Sequence, residues 1–134
     1  MDSDGLLYFL TVEPDPLVIN KMPPSPEKPV LHIEFEIQWP FRSVWKGECP
    51  TSQTVEFEIS RRGFDSLTWS QEMGLMFLEV VTPIYIPGPS SNITRVEWEL
   101  DPDKFDDSGA YLLTATFLAT GHMETQNFEI EIVV

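Results

Sequence analysis

Apolar and polar residues alternate with a period of two along much of this chain. From Leu31 to Trp39 every odd position is apolar and every even position polar, and the pattern recurs in Val55–Ile59, Val96–Leu100 and Phe128–Ile132. Successive side chains of a β-strand point to opposite faces, so each segment predicts a strand with one covered and one wet face. Most of the polar positions are Glu, which on an outer face discourages edge-to-edge pairing. The runs Leu6–Val12, Met76–Ile86 and Tyr111–Leu118 are less polar. Their β-branched and aromatic content predicts strands covered on both sides or lying along an interface. Pro83 places an edge, a bulge or a bend within the second run.

Turn formers separate these segments: Pro23-Pro24-Ser25-Pro26, Arg62-Gly63, Pro87-Gly88-Pro89-Ser90-Ser91, Asp107-Ser108-Gly109 and Thr120-Gly121-His122. No amphipathic helix is evident, and single helical turns are expected only at Ser70–Gly74 and Asp103–Phe105. The prolines of Lys21–Pro29 predict an extended connection. Seven to nine short antiparallel strands at this spacing predict an all-β, immunoglobulin-like antiparallel β-sandwich. Asp107-Ser108-Gly109-Ala110-Tyr111 is similar to a tyrosine corner, in which the Tyr hydroxyl bonds back to nearby backbone. Leu113 stands where an antibody domain carries Cys. The expected inward set is Phe35, Phe57, Trp98, Tyr111, Phe117 and Phe128, with Thr125–Val134 as the closing strand.

At 134 residues the chain fits one domain, 1–134, around one core. Eight basic residues against 22 acidic give a formal net charge of -14. Phosphate backbones and anionic membrane surfaces repel such a chain, so no nucleic-acid or membrane partner is expected; a basic partner stays open, although solubility is the plainer reading of the acidity. Cys49 is the sole cysteine, so no internal disulfide forms. Met1-Asp2-Ser3-Asp4-Gly5 lacks the basic start of a signal peptide, and Leu6–Leu10 is too short for its apolar core. These features predict a cytoplasmic protein.

Catalysis needs convergent nucleophiles, bases or metals, and the sequence offers little toward them. His32 falls on the polar side of a strand, and His122 sits in a Gly-containing hairpin loop without a motif linking it to a nucleophile. Cys49 precedes Pro50 and reads as a half-buried small hydrophobe. No nucleophile elbow, phosphate loop or zinc-ligand pair occurs, so neither an enzyme nor a cofactor is expected. The acidic run Asp101–Asp107 lacks the Gly and distal Glu of a calcium loop, which makes it a solvated connection. Trp39, Trp45, Trp69 and Trp98 leave a sugar platform open, although Trp39 and Trp98 continue the apolar alternation and so belong to the core. Arg61-Arg62 is the lone basic doublet, expected in a solvated turn.

The ordered set Cys49–Ile59, Trp69-Ser70, Met76-Phe77, Ile86-Pro87-Gly88, Trp98 and Gly109-Ala110-Tyr111 resembles the bacterial intracellular proteinase inhibitor family known as BsuPI. The likeness covers about residues 49–134. It implies a noncovalent inhibitor of a subtilisin-like serine protease that acts through an exposed loop. Met123 and Leu75 are candidate apolar anchors, and Arg61 or Arg62 would suit a protease preferring basic residues. No motif selects the inhibitory loop. The alternative is a noncatalytic immunoglobulin-like interaction module.

Overall fold

The computed structural model describes residues 5–21, 28–62, 64–70, 79–102, 105 and 107–133. Among the described residues ten strands run in chain order: β1 (Leu7–Glu13), β2 (Leu17–Asn20), β3 (Val30–Trp39), β4 (Val44–Cys49), β5 (Val55–Arg61), β6 (Phe64–Ser70), β7 (Thr82–Pro87), β8 (Ser90–Glu99), β9 (Gly109–Phe117) and β10 (His122–Val133). They form a three-stranded sheet β1-β3-β8, a five-stranded sheet β2-β10-β9-β5-β6 and a two-stranded ribbon β4-β7. Every pairing is antiparallel except the parallel β2–β10 pair. The chain is an all-β sandwich of immunoglobulin-like layout. Among the described residues no helix is long and apolar enough to cross a membrane.

Alternation explains the two-layer packing. Leu31, Ile33, Phe35 and Ile37 of β3 are buried, as are Phe57 and Ile59 of β5 and Leu113, Ala115 and Phe117 of β9. Phe35 meets Phe57 edge-on across the two sheets with ring centroids 6.4 Å apart, and stacks with Tyr8 at 6.1 Å. Each fully buried aromatic or branched side chain contributes about 1.5–3 kcal/mol through apolar area removed from water. Five of the six expected inward residues are buried; Trp98 packs on the core but stays partly exposed because β8 is the end strand of its sheet. Leu113, at the position of the antibody cysteine, is fully buried and simply fills the core.

The first strand pair crosses between sheets. β1 lies on β3, whereas β2 joins β10, and the switch falls at Glu13-Pro14-Asp15-Pro16. Pro14 and Pro16 have no N–H, so neither can continue a ladder. The Asp15 carboxylate accepts the Glu129 N–H at 2.9 Å, which occupies the β10 edge where β2 has not yet begun. Leu7 and Phe9, on the outer side of β1, are 45% and 47% exposed, so this strand is covered on one face only. That corrects the expectation of cover on both sides, within the described residues.

The tyrosine corner is formed: the Tyr111 hydroxyl donates to the Asp107 carbonyl at 2.9 Å. The closing strand begins at His122, three residues before the expected Thr125, because the β9–β10 loop is only 118–121. Gly121 completes that loop at φ +78°, in the left-handed region that disfavours side chains. Pro83 sits in the two-stranded ribbon, opposite Glu48, in keeping with an edge position. Of the two helical turns expected, Ser70 ends β6, while residues 71–74, 103 and 104 lie outside the described residues.

Candidate interaction surfaces

The two ends of the sandwich hold most of the residues with candidate chemistry. At the corner end, Arg61 closes β5 and its Nη1 reaches the Asp107 Oδ2 at 2.7 Å. Its side chain is only 18% exposed. Arg61 is thus not in a solvated turn, as its place in a basic doublet had suggested, but ties β5 to the segment that carries the tyrosine corner. Asp107 serves both contacts, its carbonyl accepting from Tyr111 and its carboxylate from Arg61. Arg62 is exposed in the turn, and its N–H donates to the Ala110 carbonyl at 3.2 Å.

At the opposite end, β3 leaves the sheet at Trp39 and β4 starts at Val44, so residues 40–43 form a short loop. Two donors converge on one of its carbonyls: Trp39 Nε1–H and Gly88 N–H each bond the Ser43 oxygen at 3.0 Å. Gly88 lies so close that a Cβ there would overlap the Phe41 carbonyl oxygen. The Trp39 and Phe41 rings meet edge-on at 4.7 Å. Phe41 is nevertheless 51% exposed, and Arg42 beside it is exposed as well. A large apolar ring is therefore held toward solvent on a loop pinned at both sides.

This site was not selected by any sequence motif. Phe41 belongs to no alternating run, and its exposure depends on a contact with Gly88 more than forty residues away. The nearest signal is Ile86-Pro87-Gly88, whose glycine is the residue that permits the close approach. Of the apolar anchors considered from sequence, Met123 is 64% exposed on β10, and Leu75 lies outside the described residues.

The histidines and the cysteine occupy separate places. His32 is exposed on the outer face of the three-stranded sheet, with Nδ1 3.6 Å from the Glu97 carboxylate. His122 opens β10 rather than sitting in the loop; its ring stacks on Tyr8 at 3.8 Å, and Nε2 lies 2.9 Å from Glu124 Oε1. These contacts join β1 of one sheet to β10 of the other. Cys49 is fully rather than half buried, and burial pushes its thiol pKa up, which suppresses the reactive thiolate. Among the described residues no group of three or more His, Cys, Asp or Glu side chains is placed to hold a metal ion.

Among the described residues the tryptophans do not assemble a platform. Trp45 is buried and packs on Phe117 at 5.7 Å, while Trp39 and Trp98 pack against the core. The Trp69 side chain lies outside the described residues. In the acidic run, Asp107 is committed to the corner, and residues 103, 104 and 106 lie outside the described set.

No family model and no curated protein matches the chain. Among solved structures it is similar to a β-glucosidase from Listeria innocua in complex with glucose, with 11% identity and a TM-score of 0.48, over 96% of this chain and 17% of that one. A β-glucosidase from Erythrobacter marinus aligns with 10% identity and a TM-score of 0.49, over 93% of this chain and 15% of that one. A β-glucosidase involved in saponin metabolism from intestinal bacteria aligns with 12% identity and a TM-score of 0.48, over 93% and 16%. The chain spans less than a fifth of the length of each of these enzymes.

Proposed function

We propose that this chain is an intracellular, BsuPI-like proteinase inhibitor that acts noncovalently on a subtilisin-like serine protease, with Phe41 as its anchor. The observation that carries this reading is the pinned loop 40–43, which presents a half-exposed aromatic ring from a rigid sandwich. Hot spots of protein interfaces are buried aromatic anchors that fill pockets on the partner. A loop already fixed before contact loses little conformational entropy on binding, so more of the contact energy appears as affinity. Ile86-Pro87-Gly88, part of the resemblance to the inhibitor family, is also the turn that fixes this loop. The chain contributes no catalytic group to the encounter; it occupies the cleft.

A second reading, a noncatalytic immunoglobulin-like interaction module, is favoured by Leu7, Phe9 and Ile93, which are exposed on the outer face of the three-stranded sheet. The two readings separate in one experiment. The purified chain is titrated against a subtilisin-like enzyme and representatives of other protease classes, and its intactness is followed by mass. Dose-dependent, reversible inhibition of the subtilisin-like enzyme with the chain intact is the expected result. Absence of inhibition at tens of micromolar, or rapid cleavage of the chain, moves the assignment to the interaction module.

A further inference from the structure

β8 ends the three-stranded sheet. One side carries the ladder to β3, in register from Ser90 opposite Trp39 to Glu99 opposite Val30, and the other side carries no strand among the described residues. The strand contains no proline and its pairing no register shift, so a row of backbone donors and acceptors about 34 Å long is left without interruption. Edges are commonly protected by inward-pointing charge, a bulge or a proline. β8 has none of these on its inner side, where Val96 and Trp98 pack on the core and remain partly exposed. Its charges lie on the outer side, and there the Glu pattern is broken by Arg95.

We propose that two copies of this chain pair through their β8 edges, antiparallel and symmetric about Val96, making one six-stranded sheet from two three-stranded ones. The charges select this register. Centred on Val96, Arg95 of each copy lies opposite Glu97 of the other, Val96 meets Val96, and Trp98 meets Thr94. Centring on Arg95 or on Glu97 instead sets a like charge against itself, which is unfavourable for directly opposed residues. Arg95 already bonds Glu34 at 2.8 Å with its side chain 70% exposed, and a guanidinium has donors enough to span a second carboxylate.

The net charge of -14 on each copy opposes association at long range. At physiological salt that repulsion is screened beyond about 8 Å, whereas the two crossed ion pairs act at contact. Centred on Val96, β8 of each copy pairs over Ile93–Glu99, seven residues a side, against about 20–30 in a stable interface of standard size. The dimer is accordingly weak and depends on protein concentration.

Sedimentation velocity on the full chain, from roughly 1 μM to 1 mM in physiological salt, tests this. The expected result is a shift from monomer toward dimer as concentration rises. Arg95→Glu and Glu97→Arg should each weaken self-association about tenfold or more, since each sets two like-charge pairs across the axis. An equimolar mixture of the two variants should associate again, because the crossed pairs are then Glu–Arg on both sides. Circular dichroism and melting of each variant check that the fold is kept. Hydrogen exchange of the unaltered chain, with the amides of Ile93–Glu99 that face away from β3 gaining protection as concentration rises, needs no variant. A monomer at every concentration overturns the proposal. So does a dimer indifferent to both reversals, or a mixture that fails to reassociate.

Discussion

The two ends of this sandwich are fixed by opposite uses of the same kind of contact. At the corner end, side chains bond inward: Tyr111 donates to the Asp107 carbonyl and Arg61 pairs with the Asp107 carboxylate, so one residue anchors the entry to β9 and the exit of β5. At the ribbon end, Trp39 and Gly88 both donate to the Ser43 carbonyl, and the result is to hold the Phe41 ring outward. The first arrangement satisfies polar groups. The second spends two hydrogen bonds and a glycine on keeping an aromatic side chain in water, a position that burial energetics alone would not choose. The corner thus turns its contacts inward, and the ribbon end uses them to hold an aromatic ring toward solvent.

The largest effect that follows is on the proposed inhibition. Phe41→Ala should weaken inhibition of a subtilisin-like protease about 100-fold, the usual range for truncating an aromatic anchor. Its thermal stability should change by no more than about 0.5 kcal/mol, since the ring is half exposed. Inhibition titration beside a urea melt measures both. Equal inhibition by the variant would return the ribbon end to a purely structural role and erase the contrast.

Gly88→Ala sharpens the comparison because it acts on both properties. The added methyl overlaps the Phe41 carbonyl oxygen, so the loop must shift. Overpacking of this kind costs about 1–3 kcal/mol. Denaturation midpoint should fall, and inhibition should weaken even though Phe41 is intact. A variant that melts like the parent would show that the loop is not pinned against the Gly88 turn.

Tyr111→Phe is the matching change at the corner. It removes one buried hydroxyl bond and should cost about 0.5–1.5 kcal/mol, with inhibition unchanged. Unchanged midpoint and slope in urea would argue against the corner bond. A drop in inhibition without loss of stability would join the two ends functionally.

How legible these regions are in the sequence follows the range of the contacts that make them. β3 and β5 are read almost residue for residue, because alternation is a local pattern and the sheets enforce it. The corner is legible too, since Tyr111 bonds only four residues back. β8 is longer than its alternating core: Ser90–Thr94 is polar or exposed, and pairing with β3, not periodicity, makes it a strand. Arg61 is misplaced by sequence because its partner lies 46 positions away. The ribbon is legible only through its β7 half, because Lys46, Gly47 and Glu48 dilute the β4 pattern. Phe41 carries no local signal, as its position is set by tertiary contact with Gly88.

The smallest expected effect belongs to the far end of the same ribbon, away from the Phe41 loop. Cys49 closes β4 opposite Thr82 and is fully buried. Burial disfavours the thiolate, so its pKa in the folded chain stands above the ordinary 9.0. The unfolded chain then loses this proton first as pH rises. The stability that the protonated thiol contributes is fully present below the unfolded value and is lost as pH climbs through the folded one. Urea denaturation of the parent and of Cys49→Ala at pH 7, 9 and 10 should therefore differ in slope against pH: the parent's advantage shrinks above about pH 9, while titrations common to both chains cancel. Parallel profiles would mean that β4 admits water at Cys49. The ribbon would then be too loosely seated to hold Phe41 by more than its own short loop.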